Sequence, residues 1–95
     1  MSANDVIYAP IAPGVPDDEL SDLVKQIMNN PTNRKLLDSI SDQIVDLFGR
    51  HGITDEQGIV DAVYKKIRVL EGNMICGIIV LHTMIVPRIS RLGQT

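Results

Sequence analysis

The stretch NMICGIIVLHTMIV, from Asn73 to Val86, decides the fold of this chain. After Asn73 it holds no charged residue, and only Gly77, His82 and Thr83 interrupt the apolar side chains. The thirteen residues after Asn73 would span about 20 Å as a helix, whereas the hydrocarbon core of a bilayer is about 30 Å thick. We therefore expect a buried helix and not a membrane anchor.

A strand is the competing interpretation of this stretch, because about half of its residues are β-branched. Thirteen residues is long for a strand, and the sequence shows no hairpin turn or clear partner strand. As a helix, the stretch has no polar face at any rotation, so it has to be covered on every side. The other helices of a short chain can cover it only partly, and the N-terminal segment or another chain has to complete the cover.

Three amphipathic helices are predicted before this stretch, over residues 17–29, 32–48 and 54–72. In each of them apolar residues recur at the three- and four-residue spacing that places them on one face. The third begins with TDEQ, typical of a capping box in which Thr54 accepts a hydrogen bond from the Gln57 amide. The sequence thus predicts an all-α fold, a small helical bundle of three amphipathic helices around an apolar C-terminal helix.

Residues 1–16 are predicted to form an extended N-terminal arm, and residues 17–95 the helical domain. Pro10, Pro13 and Pro16 exclude a regular helix in the arm and favour extended or polyproline geometry. The arm also carries apolar side chains that a solvated linker would lack. These are Val6, Ile7, Tyr8, Ile11 and Val15. We expect the arm to dock in a groove of its own domain or of a neighbouring subunit.

Charge and cysteine content narrow the class of protein. Residues 1–61 hold eleven acidic and four basic residues, whereas residues 62–95 hold one acidic and five basic residues. This asymmetry either arises by chance in a short chain or favours head-to-tail association. The single cysteine, Cys76, cannot form an internal disulfide, and no signal peptide is visible. We expect a protein of the cytoplasm, or of a particle assembled there.

No residue pattern typical of catalysis, of a metal site or of a bound cofactor is present. Cys76 and His82 are six residues apart and fall on different helix faces, and His51 has no second ligand nearby in the sequence. The second helix carries an acidic stripe that is typical of a solvated face. The stripe consists of Asp38, Asp42 and Asp46. We expect no enzymatic activity and no cofactor.

Residues 48–68 resemble the second half of a helix-turn-helix motif, with a glycine turn followed by a capped helix. Recognition of DNA requires polar and basic residues at the start of that helix, and here Asp55 and Glu56 would repel phosphates. The basic residues of that helix come only at its far end, and others follow later in the chain. They are Lys65, Lys66, Arg68, Arg88 and Arg91. We expect no specific binding of nucleic acid, and a helix-turn-helix regulator is the alternative interpretation.

The sequence favours a non-enzymatic, self-associating assembly or adaptor protein, such as a minor structural component of a virion or another large particle. Its expected partners are a second copy of the chain, giving a homo-oligomer, and another protein, whereas a membrane is not expected. The predicted partner-binding residues come from the arm and from the apolar stretch. They are Val6, Ile7, Tyr8, Ile11, Val15, Ile75, Ile78, Ile79, Met84 and Ile85.

Overall fold

The computed structural model describes residues 14–92, and within them the chain is all-helical, with four helices and no strand. The first three are α1 Asp17–Asn29, α2 Arg34–Arg50 and α3 Glu56–Leu70. The fourth, α4, is continuous and consists of Met74–Val80, a π-helical turn Leu81–Ile85 and Val86–Leu92. The prediction of an all-α fold is confirmed, and the apolar stretch is helix and not strand.

The starts of the helices follow from local capping. α1 has the predicted bounds. α2 begins at Arg34, because the Asn33 side chain accepts a hydrogen bond from the Leu36 amide. The predicted capping box at Thr54 is wrong, because Asp55 caps α3 by accepting from the Gly58 amide at 2.7 Å. A carboxylate at this position also interacts favourably with the helix dipole.

All four helices contribute side chains to one hydrophobic core. The largest fully buried side chains include Leu20, Ile27, Ile40, Ile44, Leu47, Phe48, Ile59, Ile67, Leu81 and Ile85. The last two belong to the π-helical turn of α4, so one side of α4 is part of the core of the bundle. The same core includes Val15, which lies just before α1.

α4 continues past Pro87, whereas the sequence predicts an apolar helix that ends at Val86. In the π-helical turn the Val86 amide donates to the carbonyl of Leu81, five residues back. Pro87 has no N–H to donate, and the wider turn directly before it accommodates the interruption. The Arg88 guanidinium donates to the carbonyl of Met84 at 2.9 Å. The helix therefore carries on to Leu92.

Gly77 allows α4 to pack tightly on α3. A Cβ atom at this position would lie 3.1 Å from Cδ1 of the buried Ile67, closer than ordinary van der Waals contact. Glycine inside a helix costs roughly 0.5–1 kcal/mol relative to alanine. The close approach of the two helices explains why a glycine occupies this position.

Replacing Gly77 by valine is expected to lower the free energy of unfolding by roughly 1–3 kcal/mol, because the new side chain would overpack the contact with Ile67. Urea unfolding followed by circular dichroism measures the change. Gly49→Val is the matched control, since nothing lies within 4 Å of a Cβ atom built at Gly49. Equal losses in the two variants would show that the helix contact at Gly77 is not the cause.

Candidate functional site

The side of α4 that faces away from the core is apolar and exposed along its first half. Met74, Ile75 and Ile79 are 36%, 74% and 54% exposed, and we refer to these three side chains as the exposed row. Ile75 and Ile79 are one helical turn apart, so their side chains adjoin. Single exposed apolar residues are ordinary, but a contiguous patch of them marks an interaction site.

A groove of about 450 Å³ runs beside the exposed row, between α4 and the turn that leads into α2. Its apolar lining includes Pro31, Leu37, Ile75, Ile79, Val80 and Met84. Among the described residues of the lining, Arg34 is the one that carries a charge. The exposed row and the groove together form one continuous apolar surface, because Ile75 and Ile79 belong to both.

Cys76 is the nucleophilic side chain at this groove. Its amide donates to the side chain of Asn73, which caps α4, and its thiol donates to the carbonyl of Ile27 at 3.6 Å. Burial raises the pKa of the Cys76 thiol, so the thiol stays protonated and is not an activated nucleophile. Within residues 14–92, no three His, Cys, Asp or Glu side chains are grouped in a way that could hold a metal ion.

Arg88 ties the second half of α4 to α2. Its guanidinium donates to Asp38 at 3.1 Å and also to Asp42. The hydrogen bond to Asp42 is the main reason why the pKa of Arg88 is raised above its ordinary value. The prediction of a solvated acidic stripe is confirmed, since the side chains of Asp38, Asp42 and Asp46 are 48%, 71% and 68% exposed. The stripe also forms ion pairs, because two of its carboxylates bind Arg88 of α4, and the third, Asp46, pairs with Arg50 at 3.0 Å.

The basic residues that favoured the helix-turn-helix alternative are largely paired within the chain. Lys66 is only 3% exposed and its ammonium group donates to Asp17 at 2.6 Å. Lys65 pairs with Asp61 at 2.9 Å, and Arg88 is bound to α2. These three cations therefore do not form the free basic face that binding to phosphates requires.

The start of α3 is acidic, which disfavours contact with DNA phosphates. Asp55 and Glu56 are exposed there, where a recognition helix would present its base-contacting residues. Glu56 further accepts a hydrogen bond from Ser90 of α4 at 3.2 Å. None of the contacts described for residues 14–92 thus supports the helix-turn-helix interpretation.

The predicted partner-binding residues fall into three groups. Val6, Ile7, Tyr8 and Ile11 lie outside the described residues. Ile75 and Ile79 are exposed, and Ile78 is half-buried. Val15, Met84 and Ile85 are buried in the core of the chain, although Met84 also lines the groove. Val15 thus packs on the core of its own chain just before α1, and docking on its own domain is one of the two alternatives predicted for the arm.

Sequence reasoning missed the wall of the groove opposite α4. Pro31 follows the end of α1 and Leu37 is a buried residue of α2. Both roles are local, whereas the groove exists because the α1–α2 turn and the start of α2 pack near α4. No pattern in the sequence signals this proximity.

One described helix, over Met74–Arg91, is long and apolar enough to cross a membrane when judged by length and composition alone. About a third of that window, 33%, is buried inside the protein. The core helix of a soluble protein can meet the same criteria, so the contacts of α4 have to decide which interpretation fits better.

Similarity to known proteins is the remaining source of functional information. No protein-family model matches the chain, and no curated protein or solved structure matches it significantly. The function is therefore argued from the exposed row and the groove.

Proposed function

We propose that this chain is a non-enzymatic, self-associating subunit, and that a second copy covers the exposed row and the groove. The observation that carries the proposal is the exposure of Ile75 and Ile79 on a helix whose other side forms the core. In this arrangement α1, α2 and α3 are amphipathic supports for an apolar α4, and the neighbouring copy completes its cover. Such a subunit suits an adaptor, or a minor structural component of a virion or another large particle.

The energetics favour an interface that includes the groove. Burial of one isoleucine side chain contributes about 1.5–3 kcal/mol, whereas association costs an estimated 4–15 kcal/mol in lost translational and rotational freedom. The two isoleucines of the exposed row alone would offset little more than the lower end of that cost. Filling the neighbouring groove of about 450 Å³ adds the apolar contact that a stable complex requires.

A protein partner fits α4 better than a bilayer does. Leu81 and Ile85 on the other side of α4 are fully buried in the core, and Arg88 is bound to Asp38 and Asp42 of α2. Moving α4 into a membrane would break these ion pairs and would expose the core residues of the other three helices. A surface that uses only the outer side of α4 leaves the bundle intact.

The doubly substituted chain Ile75→Ser, Ile79→Ser is expected to remain folded and to lose self-association. Both side chains are exposed, so the core is unchanged, while an interface would lose roughly tenfold or more in affinity for each buried isoleucine. Light scattering over a range of protein concentrations measures the mass. Val69→Ser on α3 is the matched control, because Val69 is 64% exposed and lies outside the groove.

A wild-type chain that stays monomeric at high micromolar concentration would contradict the proposal. The same holds if the double variant associates as strongly as the wild type. Sedimentation with phosphatidylcholine vesicles provides the further comparison. Binding of the monomeric wild type to vesicles, lost in the double variant, would assign the exposed row to a membrane instead.

A further inference from the structure

We propose that the groove beside α4 is filled by residues 6–11 of a neighbouring copy, inserted as an extended segment. The inference rests on the self-association proposed above and identifies the part of the second copy that occupies the surface. It makes the assembly an exchange of N-terminal arms between subunits.

The chemistry and the length of this segment match the groove. Residues 6–11 have the sequence VIYAPI, which contains no charged residue, and the lining of the groove is mainly apolar. Six extended residues span about 20 Å. The α4 wall of the groove, from Ile75 to Met84, is about 14 Å long at the helical rise. The segment can therefore run along the whole wall.

The position of α1 favours an arm from a neighbouring copy over the arm of the same chain. Val15 is buried and Asp17 is bonded to Lys66, which anchors the start of α1. The groove begins at Pro31, beyond the other end of α1, and α1 is about 20 Å long. The chain from Ile11 to Asp17 also spans about 20 Å when fully extended. Within one chain, residues 11–17 would have to be fully extended along α1 to bring the segment to Pro31, whereas a neighbouring copy has no such limit.

Charges at the rim of the groove support the same arrangement. Arg34 lines the groove and Lys35 follows it, both exposed in the first turn of α2. The helix dipole disfavours cations at this position, so the local structure of α2 does not account for them. An arm inserted from a neighbour would bring the exposed acids Asp18 and Glu19 of its own α1 close to this rim. Opposite charges at the two surfaces would orient the subunits.

The first test substitutes the arm in the full chain. Ile7→Ser with Tyr8→Ser is expected to weaken self-association by at least about tenfold, as the loss of two buried apolar side chains requires. Asn4→Ser is the control in the same arm and is expected to leave the mass distribution unchanged. Light scattering distinguishes the two proposals. A monomeric wild type contradicts self-association itself. Assembly that survives the arm substitutions, but not Ile75→Ser with Ile79→Ser, overturns only the arm exchange.

The second test asks which chain supplies the arm. Two chains are mixed under mild oxidation, one carrying Tyr8→Cys and the other Ile79→Cys, both with Cys76→Ala and both checked for helical content. A disulfide-linked heterodimer on a non-reducing gel is the expected product. A chain with both new cysteines that forms only an internal disulfide, at high as well as low concentration, would show that the arm docks on its own domain and would overturn the proposal.

Discussion

Replacing Leu81 by alanine is expected to lower the free energy of unfolding by roughly 2–5 kcal/mol, because the substitution leaves a cavity in a close-packed core. Leu81 is fully buried and lies in the π-helical turn of α4. Chemical unfolding followed by circular dichroism measures the loss. The size of the effect reports whether α4 is part of the bundle core in solution.

Ile79→Ala is the matched control for this experiment. It lies on the same helix and removes a comparable amount of apolar side chain, but Ile79 is exposed in the single chain. At concentrations where the protein is monomeric, the control is expected to cost less than about 1 kcal/mol. If Leu81→Ala were equally mild, α4 would not belong to the core, and inserting α4 into a membrane would not disrupt the bundle.

Replacing Asp17 by alanine is expected to lower the free energy of unfolding by about 3 kcal/mol, the lower end of the range for breaking a buried ion pair. The reason is that Lys66, whose side chain is almost fully buried, would lose its anionic partner at 2.6 Å. The Asp17 carboxylate is partly exposed to water, which keeps the loss from being larger. Thermal or urea unfolding of the single chain checks this value.

Two further variants separate the ion pair from the general effect of charge at the start of α1. Asp18→Ala removes an exposed acid from the same first turn and is expected to cost less than about 1 kcal/mol. Lys66→Met removes the buried charge together with the need for a partner and is expected to be close to neutral. A large loss in Lys66→Met and none in Asp17→Ala would contradict this account of the pair.

Local features of the fold could be predicted because the signals lie close together in the sequence. The acids Asp17, Asp18 and Glu19 begin α1, and Asn30 with Pro31 follows its end, so its bounds were predictable. The start of α3 was not predictable, because the adjacent residues Thr54 and Asp55 can both act as caps. Asp55 is the one that accepts the hydrogen bond. The predicted end of α4 was wrong for a related reason, since a π-helical turn before a proline has no simple sequence signal.

The candidate site was predictable only in part. Composition shows that residues 74–86 of α4 carry no charged side chain, but it does not show which side of them the bundle leaves open. Ile75 and Ile85 are the same residue type on the same helix, and one is exposed while the other is fully buried. Packing of distant segments decides between them.

The pairing of the basic residues could not be predicted either. Lys66 and Arg88 bind carboxylates 49 and 50 residues away in the chain. Contacts over such sequence separations depend on the folded topology, which local patterns do not encode. For the same reason the groove could not be predicted from the sequence. One of its walls comes from the α1–α2 turn with the start of α2, and the other comes from α4.

A dilution series followed by methyl NMR tests the central claim most directly. The full chain is labelled at the isoleucine δ1 methyl groups, and the resonances of Ile75 and Ile79 are assigned by Ile→Val substitution. The account predicts that these two resonances shift between low micromolar and near-millimolar concentration, while those of the core residues Ile40 and Ile44 stay constant. Resonances of Ile75 and Ile79 that do not change over this range would contradict self-association through the exposed row.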